Sequence, residues 1–202
     1  MVDDKSARLP RDERRAQLLV AALEVFTAAG YHSAAMDEIA DRANVSKPVL
    51  YQHFPSKLDL YLAVLDLHID SLVFAIQKAI ASNRENSSRV AATVEAYFGF
   101  IDSEGEAFRL LFESDMNLEP QVRERLNRMT YYCAAAVSAV ISIDTGLGKE
   151  ESMMLAVGII GTVQTTARHW LDRDGKIDRQ RATELVMNLI WRGISGFPKS
   201  QS

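Results

Sequence analysis

Cysteine is almost missing from this 202-residue sequence, and the single Cys133 cannot form an internal disulfide, so covalent staples are excluded as the basis of the fold. Long hydrophobic runs are missing too. No stretch approaches the roughly 18 apolar residues of a membrane span, and the opening Met1-Val2-Asp3-Asp4-Lys5 has no apolar signal core. A soluble, reduced, cytoplasmic protein with no membrane association is expected. Excess positive charge is also lacking: Lys+Arg 23 against Asp+Glu 27 leaves a net charge of −4. That sum at first argues against a nucleic-acid partner, because phosphate binding draws on Lys and Arg.

The residues needed for catalysis or metal binding do not cluster. His32, His53, His68 and His169 show no i,i+4 pairing and no cysteine partner, so neither a metal nor a cofactor is expected. Asp144-Thr145-Gly146 occurs once, whereas an aspartic protease needs two such carboxylates sharing a proton, so it reads as a turn. Gly148-Lys149 lacks the preceding glycine loop and the following hydroxyl of a phosphate-binding motif. An enzyme is not expected.

What is present is a helical chain. Five prolines and ten glycines punctuate rather than pervade, and the 48% hydrophobic content is enough for a substantial core. Helical spacing of Leu18, Leu19, Ala22, Leu23, Val25 and Phe26 predicts a first helix from Arg11 to Ala29, with Gly30 as a left-handed cap. Short helices are predicted over 36–42 and 47–54. Ser56 followed by Asp59 makes a capping box for a long helix to about Ala81, and further helices are expected near 89–102, 106–113, 120–143, 149–172 and 178–197. The fold class is therefore all-α, about nine helices in two domains, 1–57 and 58–202. Charge divides the same way. Residues 1–57 carry eight basic and eight acidic side chains, so all four excess negative charges fall in 58–202.

Residues 36–54 have the layout of a helix-turn-helix. Asn44 suits a turn position of positive φ. Ile39, Ala40, Val45, Leu50 and Phe54 would form the small core, which leaves Lys47, Pro48, Val49, Tyr51, Gln52 and His53 exposed on the second helix. Either Ser46 or Lys47 caps that helix, with Pro48 in its first turn. For the helix before it, Ala34 and Ala35 leave either Ser33 as an early cap or amides without a side-chain acceptor.

Gly30-Tyr31, Met36-Asp37-Glu38-Ile39-Ala40, Val45-Ser46-Lys47, Leu50-Tyr51-Gln52-His53-Phe54 and Ser56-Lys57 together resemble the DNA-binding domain of the TetR family of bacterial transcription regulators, over about residues 11–60. The resemblance implies a homodimer on a palindromic double-stranded DNA operator and a helical C-terminal domain that senses a small molecule. It implies that Lys47, Pro48 and Tyr51 touch bases or adjacent phosphates, that Gln52 lies at the groove margin, and that Ser46, His53 and Lys57 lie near phosphates. Family members commonly have Gly and then a hydroxyl residue at the positions of Pro48 and Val49, so an apolar contact to thymine is expected there instead. The arm Lys5–Arg11 either follows the DNA or is a solvated terminus.

In the second domain the resemblance implies an effector cavity, for which Leu65, Leu72, Phe98, Phe112, Met129 and Cys133 are the candidates; packing is the alternative role, and for Cys133 packing is favoured over redox sensing. The aliphatic and aromatic composition favours a small apolar, lipid-like effector. A similarity to actinobacterial members tied to lipid metabolism points to fatty acyl-CoA. Small and apolar residues spread widely over the last two helices, from Met153 to Gly161 and from Leu185 to Ile194, predict that the homodimer forms through them. The expected activity is ligand-responsive repression, released by the effector, with activation as the alternative.

Overall fold

The computed structural model describes residues 10–112, 115–172 and 176–193, and among these the chain is all-α. The nine helices among the described residues are α1 (Arg11–Ser33), α2 (Met36–Arg42), α3 (Lys47–His53), α4 (Lys57–Ala81), α5 (Asn86–Ser103), α6 (Gly105–Phe112), α7 (Pro120–Thr145), α8 (Lys149–Asp172) and α9 (Arg179–Arg192), with a 3₁₀ turn at Asp115–Leu118.

Local chemistry sets most boundaries. At the head of α4 the Asp59 amide donates to Ser56 Oγ at 3.1 Å and Ser56 Oγ donates to the Asp59 carboxylate at 2.7 Å, so Ser56 and Asp59 cap the helix together. Gly146 ends α7 at φ 72°, ψ 8°, a left-handed cap. Gly30 departs from expectation. Its φ of 74° is positive, but its ψ of 161° is extended, so the chain bends there and makes one more turn to Ser33. Ser33 therefore belongs to α1 and does not cap α2, whose cap residue is Ala35, with no side-chain hydrogen bond. Helix α5 starts at Asn86, earlier than the 89 expected, so Asn86-Ser87-Ser88 form its first turn rather than a loop. Helix α9 stops at Arg192 because Gly193 takes φ 66° and ψ −179°; residues 194–197 of the expected helix lie outside the described residues, as do residues 5–9 of the arm.

One continuous apolar core runs through the chain, and α4 lies at its centre, packed on α1, α5 and α7. Tyr61 of α4 has no exposure; its ring meets Phe26 and Tyr31 edge-on, at centroid distances of 5.2 and 5.1 Å, and its hydroxyl donates to the Leu110 carbonyl at 3.5 Å. That one side chain joins α1, α4 and α6. Each fully buried side chain of this size contributes on the order of 1.5–3 kcal/mol.

Candidate nucleic-acid interface and sensor cavities

Helices α2 and α3 meet through a turn in which Asn44 adopts φ 50° and the Val45 amide donates to the Ala40 carbonyl at 2.9 Å. Ile39, Ala40, Leu50 and Phe54 are buried beneath it, so the inner face of α3 packs on the rest of the domain. Ser46 is the cap residue of α3, with extended backbone; its carbonyl accepts from the Val49 and Leu50 amides, while its side chain makes no capping bond. The choice between Ser46 and Lys47 is thus decided by the backbone.

Ser46, Lys47, Pro48, Tyr51 and Gln52 are exposed, and Val49 and His53 are half-buried. Ser46, Val49, Gln52 and His53 line a polar groove of about 520 Å³ together with Asn44, Arg11 and Arg14. Arg14 was not singled out in the sequence, although Arg11 and Arg14 stand three apart on one helix face, a spacing that could have shown them. Arg14 donates to Gln17, whose amide donates to the Ala43 carbonyl at 2.9 Å, so α1 is tied to the turn itself. Arg15 ties α1 to the end of α3. Its guanidinium stands 4.3 Å over the Phe54 ring and donates to the His53 carbonyl at 3.4 Å. Burial, and then the charges of Arg11, Arg15 and Arg14, hold His53 below the ordinary histidine value. Lys47 bonds Asp37 of α2 at 2.7 Å, and that bond and charge raise its pKa.

Lys57 has a different role from the one expected. Its ammonium donates to the carbonyls of Tyr31, His32 and Ala34 at 2.7, 3.2 and 2.9 Å, satisfying the end of α1 where the chain bends. The three N–H groups of the ammonium are committed inside the protein, so Lys57 is a strut rather than a phosphate contact.

Two cavities with largely apolar walls lie among the described residues of the second domain. The larger, about 850 Å³, opens between α8 and α9, with Phe98, Trp170, Val186 and Leu189 in its wall and His169 and Lys176 among its polar lining residues. The smaller, about 390 Å³, lies where α4, α5, α7, α8 and α9 converge, lined by Ile80, Val94, Val137, Ile159, Ile190 and Trp191 among others. Leu189 and Ile190, neighbours on α9, belong to different cavities. Of the candidates from sequence, Phe98 lines the larger cavity and the side chain of Phe112 lies outside the described residues. Leu65, Leu72, Met129 and Cys133 line neither cavity: they are buried in the core that joins α4 to α7. Burial pushes the Cys133 thiol up to about 12, so it is a packed apolar group.

Met154, Leu155, Val157, Leu189 and Trp191 present exposed apolar surface on α8 and α9. Ala156, Ile160 and Val186, also expected at a dimer face, are instead buried within the protomer, and Ile194 lies outside the described residues. No described helix is long and apolar enough to cross a membrane.

Residues 18–64 match the family described as bacterial regulatory proteins, tetR family, and residues 86–193 match the tetracyclin repressor-like C-terminal domain. The HTH-type transcriptional activator FasR of Mycolicibacterium smegmatis is 50% identical over 195 residues, 96% of this chain and 89% of the relative. The fatty acid metabolism regulator protein of Bacillus subtilis is 23% identical over 184 residues, 88% of this chain and 94% of that protein. Among solved structures, FadR from Bacillus subtilis in complex with stearoyl-CoA has the same fold, with a TM-score of 0.77 at 19% identity over 89% of this chain and 98% of that one.

Proposed function

The chain belongs to the TetR family of bacterial regulatory proteins and is a DNA-binding transcriptional regulator rather than an enzyme; on that premise we propose how its parts divide the work. Residues 1–57 bind the operator and residues 58–202 sense the effector and dimerise, in the cytoplasm. Two α3 helices of a homodimer enter successive major grooves of a palindrome, about 34–36 Å apart. Lys47, Pro48, Val49 and Tyr51 face bases, Lys47 reaching guanine acceptors and Pro48 and Val49 a thymine methyl. Ser46, Gln52, His53, Arg11 and Arg14 follow the phosphates. The observation that carries this reading is the groove in which α3 residues and the two arginines of α1 stand together.

The effector is a lipid-like molecule of the acyl-CoA class. The apolar walls of both cavities support this, as does the stearoyl-CoA bound by a protein of the same fold. Helix α4 links sensor to operator: Ile80 borders the smaller cavity, Lys57 braces the end of α1, and about 37 Å of helix lies between the ends of α4. An occupant acts by binding one spacing of the two α3 helices better than the other. The half-identical relative named as an activator favours activation over the repression expected from sequence.

Fluorescence anisotropy on a palindrome from the protein's own promoter tests this. Lys47→Ala and Tyr51→Ala should each lose about 1–3 kcal/mol of operator affinity, and stearoyl-CoA should shift the wild-type curve. Equal binding by wild type and double variant would overturn the assignment.

A further inference from the structure

The smaller sensor cavity has an apolar interior and one cation. Ile80, Val90, Val94, Val137, Val140 and Ile141 supply much of its wall, and Arg89, in the first turn of α5, is the only basic residue among the described residues that line it. Arg89 is aimed by two local bonds: Nε donates to the Asn83 carbonyl at 2.9 Å and Nη1 to Asn86 Oδ1 at 3.0 Å. Opposite stands Asp144, the only acidic residue among the described lining residues, with its Oδ2 3.6 Å from Nη1. That distance makes an ion pair rather than a hydrogen bond. Both side chains keep roughly three-tenths of their exposure, 27% and 32%, and pairs lapped by water contribute little. Asp144 is also poorly placed, since it occupies the last turn of α7, where the helix carbonyls repel a carboxylate. The guanidinium is thus oriented at an apolar cavity and neutralised by a weakly held anion that a better acceptor can displace.

We propose that Arg89 is the head-group residue of an amphiphile site: the tail occupies the cavity, and the ligand's anionic oxygens replace Asp144 on the guanidinium. The proposal rests on the reading of this domain as a sensor of lipid-like molecules and specifies the end of the molecule it reads. The head lies at the pole remote from α3, next to the end of α4. A carboxylate and a phosphate offer the same oxygen chemistry to a guanidinium, so both are included in the test.

Trp191 lines this cavity and Trp170 the other, so a Trp170→Phe background leaves Trp191 as the only tryptophan reporter. Dodecanoate, dodecyl phosphate and methyl dodecanoate are titrated into the full chain in that background. Both anions should bind at least tenfold tighter than the ester. Arg89→Gln should abolish that preference while leaving ester binding unchanged. Asp144→Asn, which keeps the packing and removes the competing carboxylate, should widen the preference several-fold, and it tests the proposal independently if the Arg89 variant is unstable. A preference for dodecyl phosphate alone would assign the site to a phosphate head, and for dodecanoate alone to a carboxylate. Binding of both anions no tighter than the ester by the wild-type cavity, or an Asp144→Asn variant with no gain for either anion, would overturn the head-group role. Loss of that role with operator binding still responsive to stearoyl-CoA leaves the sensor reading standing; no response to any of the four molecules overturns both.

Discussion

The Lys57 ammonium donates to the Tyr31 carbonyl at 2.7 Å and lies 4.6 Å from the centroid of the same residue's ring, so the first residue of α4 seals the end of α1. Replacing Lys57 by Met keeps the stem and deletes three donated bonds. Stability should fall by about 1.5–3 kcal/mol, as for hydrogen bonds made by a charged group. The salt dependence of operator binding should keep its slope. A slope reduced by about one would instead identify Lys57 as a phosphate contact.

Asp37 holds Lys47 at 2.7 Å on the exposed face of α2 and α3. DNA must compete with that carboxylate for the lysine, and the carboxylate itself repels phosphate. Asp37→Asn should therefore tighten operator binding several-fold at low salt, with the gain shrinking as salt screens both effects. Anisotropy titrations at two ionic strengths measure it; unchanged affinity at both would show that the pair persists on DNA.

His53 is held below its ordinary value of 6.5 by burial and by Arg11, Arg15 and Arg14. The sign for stability follows. The unfolded chain takes up this proton first, so the contribution of neutral His53 is full above about pH 6.5 and is lost as pH falls through the folded value. Operator binding should run the other way, because a phosphate beside the ring favours the charged form and binding takes up a proton. Affinity should rise as pH falls from 7.5 to 6, by at most tenfold per pH unit for each proton taken up, and His53→Gln should flatten that rise.

Met154 is 76% exposed and Val157 45% exposed on α8, next to Gly158. An arginine at either position places a charge where an apolar partner face is expected. Light scattering should show monomer in place of dimer, and operator binding should fall to the strength of one half-site. A variant that stays dimeric would move the interface elsewhere.

Local chemistry made much of this legible in the sequence. The cap at Ser56, the positive φ of Asn44 and the buried set Ile39, Ala40, Leu50 and Phe54 each depend on residues a few positions apart, and spacing reveals such relations. The bracing role of Lys57 does not show in the sequence, because its partners lie 23 to 26 residues away and are carbonyls, which carry no side-chain signature. Gly30 was read correctly for φ and wrongly for ψ, since composition reports that a residue can turn but not how far. Leu65, Leu72, Met129 and Cys133 form helical stripes that look the same whether they line a void or fill one; only the packing of α4 against α7 distinguishes the two. The Arg89–Asp144 pair spans 55 positions and no periodicity links them.

Leu189 and Ile190 line different chambers, so α9 supplies wall to both. If a guest in one chamber shifts α9 into the other, it takes volume there, and two guests that never touch would exclude one another. Such antagonism is reciprocal: whatever factor the first imposes on the second, the second imposes on the first. Potency measured for any single compound would then depend on what already occupies the neighbouring chamber.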